Sequence, residues 1–502
     1  MKIRNILLVY PEFLETFWGF KYLLKFVGKK AAYPPLGLLT VAAMLPKAWP
    51  KRLADLNVRK LTDKDIAWAD YVFISAMTTQ RDSAEEVIAR CEKLGKPVVL
   101  GGPILEAGYD GFPDVSHFFA GEAEDTLQRF LEDLAAGRTP ERIYSSPPKS
   151  FPGLAATPIP MWELIDPRYA SMLVQWSRGC PYRCTFCSIA ELNGRVPRTK
   201  TPEQFLCELD ALYQAGYRGP IFIADDNFIG NKKRVKEMLH LLVRWQQDRG
   251  YPFDLTVEGD ITLADDDELM EMLVQAGVGK VFLGIETPNE ASLAECGKRQ
   301  NMGRDLVACV KKIQRAGLVP MSGFIVGFDN DDPRTFADKM IHFIQETGIA
   351  AAMVGILQAQ PRTPLYERLR REGRLLTESG GNNVVCSTNF RPRMPMETLV
   401  EGYKRIWAEI YSPRKYYERI RTFLREFNPA NRPARKPTAT QLKAFVASLW
   451  RIGLFGGPKA SYYYWKTLVT ALFQHPRAFP EAVALLIFGA HFQRIAKDIE
   501  RS

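Results

Sequence analysis

The stretch MLVQWSRGCPYRCTFC, residues 172–187, decides how the rest of the chain is interpreted. Its first five residues are mostly apolar and predict a buried strand, and a loop with three cysteines follows. The spacings of four and three residues let Cys180, Cys184 and Cys187 bind three irons of one cubane cluster, which leaves the fourth iron free. A structural zinc site would require a fourth Cys or His nearby, and the sequence offers none.

Strands and helices alternate beyond this loop. Short apolar runs separated by helical stretches predict six strands, at residues 172–176, 221–224, 254–257, 280–285, 321–326 and 352–357. Six β/α units predict a partial (β/α)6 barrel over residues 171–375, with its chemistry at the carboxyl ends of the strands. Those ends carry acidic residues, glycines and one threonine, namely Asp225, Asp226, Glu258, Gly284, Glu286, Thr287, Gly323 and Gly327.

The cysteine loop resembles the signature of the radical S-adenosylmethionine (SAM) superfamily, Cys-x3-Cys-x-aromatic-Cys, with Phe186 at the aromatic position. The resemblance implies a [4Fe-4S] cluster whose open iron binds SAM. It also implies an external one-electron reductant, flavodoxin or ferredoxin, and cleavage of SAM to a 5′-deoxyadenosyl radical. By the same resemblance, Phe186 and the strand-end residues named above are the expected SAM contacts.

The first 143 residues also alternate between short apolar strands and helices, which predicts a doubly wound, flavodoxin-like parallel sheet. Ligands of such sheets bind at the carboxyl ends of the strands. The strand ends here are small or glycine-rich, which suits either a tight turn or the close approach of a ligand. The residues concerned are Tyr10, Ser75, Met77, Thr78, Gly101, Gly102, Gly121 and Glu122.

A flavodoxin-like domain before a radical SAM barrel resembles the cobalamin-dependent radical SAM enzymes. This resemblance implies a cobalamin bound at the strand ends just named. Classical cobalamin modules place a histidine two residues after an aspartate, as the lower ligand of cobalt. Here Asp55 is followed at that place by Asn57, so the lower face of the corrin would lack an imidazole. The alternative is a vestigial domain without corrin.

The last part of the chain differs in charge. A proline-rich linker is predicted over residues 144–170, and residues 376–502 are predicted to be a helical region rich in aromatic residues. Residues 401–502 hold 18 Lys and Arg against seven Asp and Glu, although the whole chain carries only +10. Runs at 456–458, 463–466 and 488–492 resemble the extension shared by the hopanoid C-2 methylases, as do segments 16–21 and 33–40 near the start.

This basic region suits an anionic membrane surface, a nucleic acid, or a helical lid over the barrel. Nucleic acid is disfavoured because the RNA-modifying methylthiotransferases carry three further cysteines in the N-terminal domain, where this chain has only Cys91. Eight cysteines without a secretory signal indicate the cytoplasm, and the basic region allows peripheral contact with the inner face of the membrane.

The expected function is methylation of an unactivated carbon in a small-molecule or lipid substrate, following cleavage of SAM. One alternative is a radical cyclase or carbon–carbon coupling enzyme acting on a lipid or tetrapyrrole. An alternative of another class is a non-catalytic sensor that binds cobalamin or an iron–sulfur cluster. Formation of 5′-deoxyadenosine separates an enzyme from a sensor.

Overall fold

The computed structural model of the chain describes residues 2–14, 16–147, 150–377, 379–382, 384–435 and 437–501. Two six-stranded parallel sheets form its framework, and a helical region follows them. The α/β class, the flavodoxin-like order of the first sheet and the barrel-type second sheet confirm the prediction.

The first sheet has the strand order β2-β1-β3-β4-β5-β6, the flavodoxin-like arrangement with one strand added at its edge. Its strands are β1 Ile6–Tyr10, β2 Lys51–Asp55, β3 Tyr71–Ser75, β4 Val98–Gly101, β5 His117–Ala120 and β6 Ile143–Ser145. Its helices are α2 Leu36–Met44, α3 Asp63–Trp68, α4 Arg81–Lys93 and α5 Ala123–Ala135, whereas α1 Lys21–Val27 packs on the C-terminal helices. The strand order reverses between β1 and β3, where such sheets bind ligands.

The second sheet has the order β14-β13-β12-β11-β10-β7, with every pair parallel. Its strands are β7 Met172–Val174, β10 Gly219–Ile223, β11 Phe253–Gly259, β12 Val278–Glu286, β13 Val319–Val326 and β14 Ala352–Ile356. A short antiparallel pair outside this sheet, β8 Ser177–Arg178 and β9 Arg198–Thr199, flanks the cysteine loop. The helices are α6 Ile189–Leu192, α7 Pro202–Gln214, α8 Lys232–Asp248, α9 Asp267–Gln275, α10 Glu290–Glu295, α11 Leu306–Arg315, α12 Phe336–Thr347 and α13 Pro364–Arg371. Strands β13 and β14 are buried on both faces, which explains their nearly continuous apolar runs, whereas β11 alternates between buried and half-buried residues.

The C-terminal helices cover the edge strand β14. They are α14 Met396–Ile410, α15 Pro413–Glu426, α16 Ala439–Ser448, α17 Pro458–Gln474 and α18 Phe479–Arg501, with a π-helix at Leu449–Leu454 between α16 and α17. The Trp407 indole N–H donates to the carbonyl of Val354 at 3.1 Å, and the Tyr411 hydroxyl donates to that of Ala352 at 2.6 Å. An edge strand covered in this way cannot pair with another chain. Within the described residues, no helix combines the length and apolarity needed to cross a bilayer.

Candidate active site

Two aspartates at the end of β10 hold the base of the cysteine loop. The Asp225 carboxylate accepts the backbone N–H groups of Trp176 at 2.8 Å and Ser177 at 2.9 Å, and also the Ser177 hydroxyl at 2.7 Å. The Asp226 carboxylate accepts the Gly179 N–H at 2.6 Å. Burial raises the pKa of Asp225 to about 7, although its hydrogen bonds oppose the rise. These predicted SAM contacts therefore also position the loop that carries the three cysteines.

The loop itself is closely packed. Gly179 has a φ of +99°, and a Cβ there would lie 3.0 Å from three carbonyl oxygens, so only glycine fits. On the other side, the Thr185 N–H donates to the Cys296 carbonyl at 2.9 Å. Phe186 points into a small apolar cluster, where its ring centroid lies 6.5 Å from that of Phe328. The loop is thus fixed from the barrel strands and from the segment after β12.

The three thiols are half-buried and affect one another electrostatically. Burial raises the pKa of all three, that of Cys187 to about 12. Bound iron would deprotonate them, since the thiolate is the metal ligand. Among the described residues, no three or more His, Cys, Asp or Glu side chains are grouped to hold one metal ion. Thiolates that bind different irons of one cubane need not meet at one point.

A buried ion pair lies beside these thiols. The Lys298 ammonium is 2.7 Å from a carboxylate oxygen of Glu286, and both residues are buried. The charges of Glu286 and Cys184 raise the pKa of Lys298 against the opposing effect of burial. Gly284 leaves room for this pair, because a Cβ there would lie 2.6 Å from the Lys298 nitrogen. The sequence analysis missed Lys298, since an isolated lysine is normally a surface residue.

The strained backbone of Glu286 belongs to the same feature. Its φ is +67°, and the pairing of β12 with β13 is irregular between Gly284 and Glu286. Positive φ at a residue other than glycine costs energy and is concentrated at functional sites. The conformation aims the carboxylate at Lys298 and so places a cation near the cysteines.

Three buried amide oxygens near the site have no hydrogen-bond partner within the described chain. They are Oδ1 of Asn227, Oε1 of Gln300 and Oδ1 of Asn301. Asn227 and Gln300 each donate a side-chain hydrogen bond to a cysteine, Cys180 and Cys184 respectively. Buried acceptors without partners are costly, so this pocket fits a polar ligand that donates hydrogen bonds. The residues present therefore suit an iron–sulfur cluster with a bound amino acid group.

Glu258, at the end of β11, faces the interior of the barrel mouth. It is half-buried, and burial together with the charges of Asp226 and Asp225 raises its pKa to about 8. Tyr33 of the N-terminal region approaches it, because the Glu258 charge adds to burial in raising the pKa of Tyr33. The Tyr33 ring also lies 5.6 Å from that of Phe222 in β10. The two domains therefore meet at the barrel mouth.

The remaining predicted SAM contacts occupy different positions. Thr287 is buried directly after Glu286, at the end of β12. Gly323 lies within β13, where a Cβ would be 3.2 Å from the Phe282 ring. Gly327, with a φ of +99°, ends β13 and lies against Leu399 of α14. The structure thus brings Thr287 to the ion pair, and places Gly327 at the contact with the C-terminal helices.

The predicted cobalamin contacts on β3 and β4 lie together. Gly102 has a φ of +98°, and a Cβ there would lie 2.7 Å from the carbonyl of Ala76 and 3.1 Å from the hydroxyl of Ser75. Met77 and Gly102 are exposed, while Ser75, Thr78 and Gly101 are half-buried, as is Tyr10 at the end of the neighbouring β1. This edge offers backbone and small side chains at the point where the strand order reverses. It fits a large ligand that approaches closely.

Asn57 is already hydrogen-bonded within the protein. Its amide nitrogen donates to the carbonyl of Pro11 at 3.1 Å and to Oδ1 of Asp55 at 2.8 Å. Its amide oxygen accepts the Phe13 N–H at 2.9 Å. The second oxygen of Asp55 accepts the hydroxyl of Tyr169 at 2.6 Å. The Asp-x-Asn pair therefore braces the loop after β1.

Glu122 is likewise partnered, although Gly121 beside it is exposed. The Glu122 carboxylate is 2.6 Å from the guanidinium of Arg178, in β8, and also pairs with Arg198 in β9. Arg178 also pairs with Glu124 at 2.9 Å. This ion-pair cluster connects the end of β5 to the strand that leads into the cysteine loop. The sequence offered no sign of it, since the partners come from different domains.

Comparison with known proteins agrees with this geometry. Residues 174–341 match the family model described as the radical SAM superfamily, and residues 363–502 match a domain of unknown function, DUF4070. A relative called uncharacterized methyltransferase sll1242, from Synechocystis, is 42% identical over 97% of this chain and 91% of its own length. The hopanoid C-2 methylase of Rhodopseudomonas palustris is 34% identical over 97% of this chain and 92% of its own.

A solved structure supports the fold. The radical SAM methyltransferase TsrM from Kitasatospora setae, solved with cobalamin and a [4Fe-4S] cluster bound, superposes with a TM-score of 0.60. The match covers 97% of this chain and 99% of TsrM at 15% identity. The cysteine loop, the match to the radical SAM family model and the full-length relatives together show that the chain belongs to the radical SAM enzymes, in the group that shares its C-terminal region with the hopanoid C-2 methylases.

Proposed function

We propose that this radical SAM enzyme methylates an unactivated carbon of a lipid substrate, with its cluster on Cys180, Cys184 and Cys187. The observation that carries the proposal is the position of the three thiols, on one braced loop beside the buried Lys298–Glu286 pair. When bound, the cluster would supply the electron that cleaves SAM, and the corrin would supply the methyl group. An external flavodoxin or ferredoxin serves as the reductant.

The protein's own residues position these groups. Asp225 and Asp226 hold the base of the loop, and Lys298 balances part of the negative charge that three thiolates bring into a half-buried site. We propose that SAM contacts the strand-end residues of the barrel. These are Phe186, Asp225, Asp226, Glu258, Gly284, Glu286, Thr287, Gly323 and Gly327.

We propose that cobalamin binds at the edge formed by β1, β3 and β4. Gly101, Gly102 and Ser75 would contact it mainly through backbone, with Tyr10, Met77, Thr78 and Gly121 around it. The crowding at Gly102 and the reversal of strand order support this site. Asn57 would lie near the lower face without ligating cobalt, since its amide is already hydrogen-bonded. Glu122 would act by joining the two domains.

A lipid substrate is supported by the similarity to a hopanoid C-2 methylase over nearly the whole chain. We place the protein in the cytoplasm, at the inner face of the membrane, where such a substrate would be available. The basic C-terminal region provides the contact.

The cofactor content of the purified protein and the products of its reaction test the proposal. Protein purified without oxygen from cobalamin-fed cells should contain about four irons and one corrin per chain. After reduction, it should form 5′-deoxyadenosine from SAM and transfer a labelled methyl group to an extracted membrane lipid. Four irons without corrin, and a product without the label, would instead support cyclisation or coupling. A loaded protein that never forms 5′-deoxyadenosine would be a sensor, and the proposal would be wrong.

A further inference from the structure

Residues 439–478 form a helical hairpin, here called the basic hairpin. It comprises α16, the π-helix and α17, followed by a short turn. One side packs on the rest of the protein through buried residues such as Ile452 and Leu468. The Ser448 and Tyr464 hydroxyls are hydrogen-bonded at 2.8 Å, and the Trp465 indole donates to the Gly453 carbonyl at 3.0 Å. The hairpin is therefore an ordered element of the fold.

The other side of the basic hairpin is apolar and exposed. Ten of the eighteen large apolar side chains that are exposed in the described residues lie here. They are Leu442, Val446, Trp450, Leu454, Phe455, Tyr462, Trp465, Val469, Leu472 and Phe473. Phe455 is 77% exposed and Phe473 78%. A concentration of this size marks an interaction surface.

The spacing of these residues places them on one face of each helix. Leu442, Val446 and Trp450 follow at intervals of four, and Trp465, Val469 and Leu472 at intervals of four and three. Both helices are thus apolar on two sides, which is typical of helices with a partner on each side. The outer face has no partner within the described chain.

The charge of the basic hairpin indicates which kind of partner its exposed face binds. The basic hairpin contains five Lys and Arg and no Asp or Glu. The five are Lys443, Arg451, Lys459, Lys466 and Arg477, and among the described residues none of them forms an ion pair. Two of them lie over aromatic rings, Arg451 over Phe26 at 5.3 Å and Lys466 over Tyr462 at 5.7 Å. Cations that no carboxylate neutralises, beside exposed aromatic and aliphatic side chains, match an anionic bilayer, where the apolar groups enter the interface and the cations meet headgroups.

Other partners fit less well. A second copy of the chain, related by a two-fold axis, would set this positive surface against itself without any acidic residue to pair. A single-stranded nucleic acid would stack on aromatic rings, but half of the exposed residues are Leu or Val.

We propose that the basic hairpin lies in the interface of an anionic lipid bilayer with its helices parallel to the membrane plane. Phe455 lies just before α17 and Phe473 in its last turn, and the helix of 17 residues is about 25 Å long, so both ends insert together. Trp450 stacks on Phe455 at 6.3 Å and inserts beside it. The inference rests on the membrane location in the proposed function and adds the surface and the lipid chemistry.

Vesicle flotation tests this inference with the full chain, reconstituted with iron and sulfide under nitrogen. The protein should float with phosphatidylcholine vesicles that contain phosphatidylglycerol, and not with phosphatidylcholine alone. Trp450→Ser with Phe455→Ser and Phe473→Ser should lower the bound fraction about tenfold. Lys443→Gln with Lys459→Gln and Lys466→Gln should remove its dependence on salt.

Leu94→Ser with Ile143→Ser, two exposed apolar positions in the N-terminal domain, is the matched control and should bind like the wild type. Four results would overturn the inference: no flotation of the wild type, unchanged flotation of the aromatic variant, a dimer that the aromatic variant dissociates without any vesicle binding, or binding to single-stranded RNA in place of vesicles. Formation of 5′-deoxyadenosine without lipid should be equal in all variants. Its failure in every variant would refute the proposed chemistry and leave the flotation result intact.

Discussion

The carboxyl edges of the two parallel sheets are built differently. At the barrel edge, the site consists of charged side chains that are buried and bonded, including Asp225, Asp226 and the Lys298–Glu286 pair. At the N-terminal edge, the proposed site consists mainly of backbone atoms, and Gly102 packs closely against the end of the neighbouring strand β3. There the polar side chain of Asn57 is already used within the fold.

This difference predicts different sensitivities. A buried charge that loses its partner is strongly destabilising, so the barrel edge should respond to side-chain removal. The N-terminal edge has no buried charged side chain that a substitution could remove. Its backbone is closely packed, so this edge should be sensitive to added atoms.

The largest effect is expected from removing one thiol. In Cys184→Ala only two thiolates remain on the loop, so the cluster should be lost and with it all cleavage of SAM. Iron content and the formation of 5′-deoxyadenosine measure this directly. Cys207→Ala, which removes an exposed cysteine on α7, is the control and should retain both. A Cys184→Ala protein with normal iron and activity would refute the cluster assignment.

The next largest effect is expected from breaking the buried Lys298–Glu286 ion pair. Lys298→Met leaves the Glu286 carboxylate buried without its cation, which should lower the free energy of unfolding by about 3 to 5 kcal/mol. Lys280→Met is the matched control at the opposite end of β12, where Lys280 pairs with Asp254 at 2.9 Å but both side chains are about 30% exposed. It should cost under about 1 kcal/mol.

Urea unfolding of the iron-free proteins separates these two variants. Equal losses in the free energy of unfolding would mean that the Lys298–Glu286 pair contributes no more than an exposed ion pair. The predicted difference between the two edges would then be wrong for the barrel edge.

At the N-terminal edge, adding one methyl group is the corresponding test. Gly102→Ala should lower the free energy of unfolding by about 2 to 3 kcal/mol and weaken corrin binding, because φ of +98° and ψ of 179° suit only glycine and the new Cβ would meet the Ala76 carbonyl. Gly95→Ala also has positive φ, but its Cβ would enter open space. It should cost about 1 kcal/mol and bind corrin normally. Equal corrin binding by both variants would remove Gly102 from the proposed site.

The sequence predicted the barrel well because most of its strands are apolar runs between helical stretches, and β13 and β14 are buried on both faces. The polar edge strand β2, with the sequence KRLAD, has no such run and was not predicted, nor was the short strand β6. The motif spacing likewise located the cysteine loop, because its ligands are adjacent in sequence.

Partners from distant segments could not be predicted in the same way. Spacing drew attention to Asn57, but nothing in the local sequence shows that its amide is hydrogen-bonded to Phe13 and Pro11. Glu122 was assigned to the corrin from its position at a strand end, and nothing in the local sequence indicates its ion pairs with Arg178 and Arg198, which lie in another domain. Long-range electrostatic pairing therefore accounts for most of what sequence reasoning missed.

The smallest effect should come from the half-buried carboxyl group at the barrel mouth. The pKa of Glu258 is raised from an ordinary 4.5 to about 8, so the folded protein keeps the proton that the unfolded chain releases. Its contribution to stability is therefore full below pH 4.5, declines as the pH rises, and is lost above about pH 8. The shift would amount to nearly 5 kcal/mol at about 1.4 kcal/mol per unit, but Glu258 is partly exposed, and we expect about 2.

Glu258→Gln cannot titrate, so the wild type should lose about 2 kcal/mol relative to this variant between pH 5 and pH 8.5. Urea midpoints of the iron-free proteins across that range measure the difference, and the exposed Glu203→Gln controls for the substitution itself. A constant difference would mean that Glu258 is ionised throughout and that water fills the mouth. The properties of the barrel edge would then come only from charged side chains that have hydrogen-bond or ion-pair partners. A carboxyl group without such partners would be ionised there as it is in solvent.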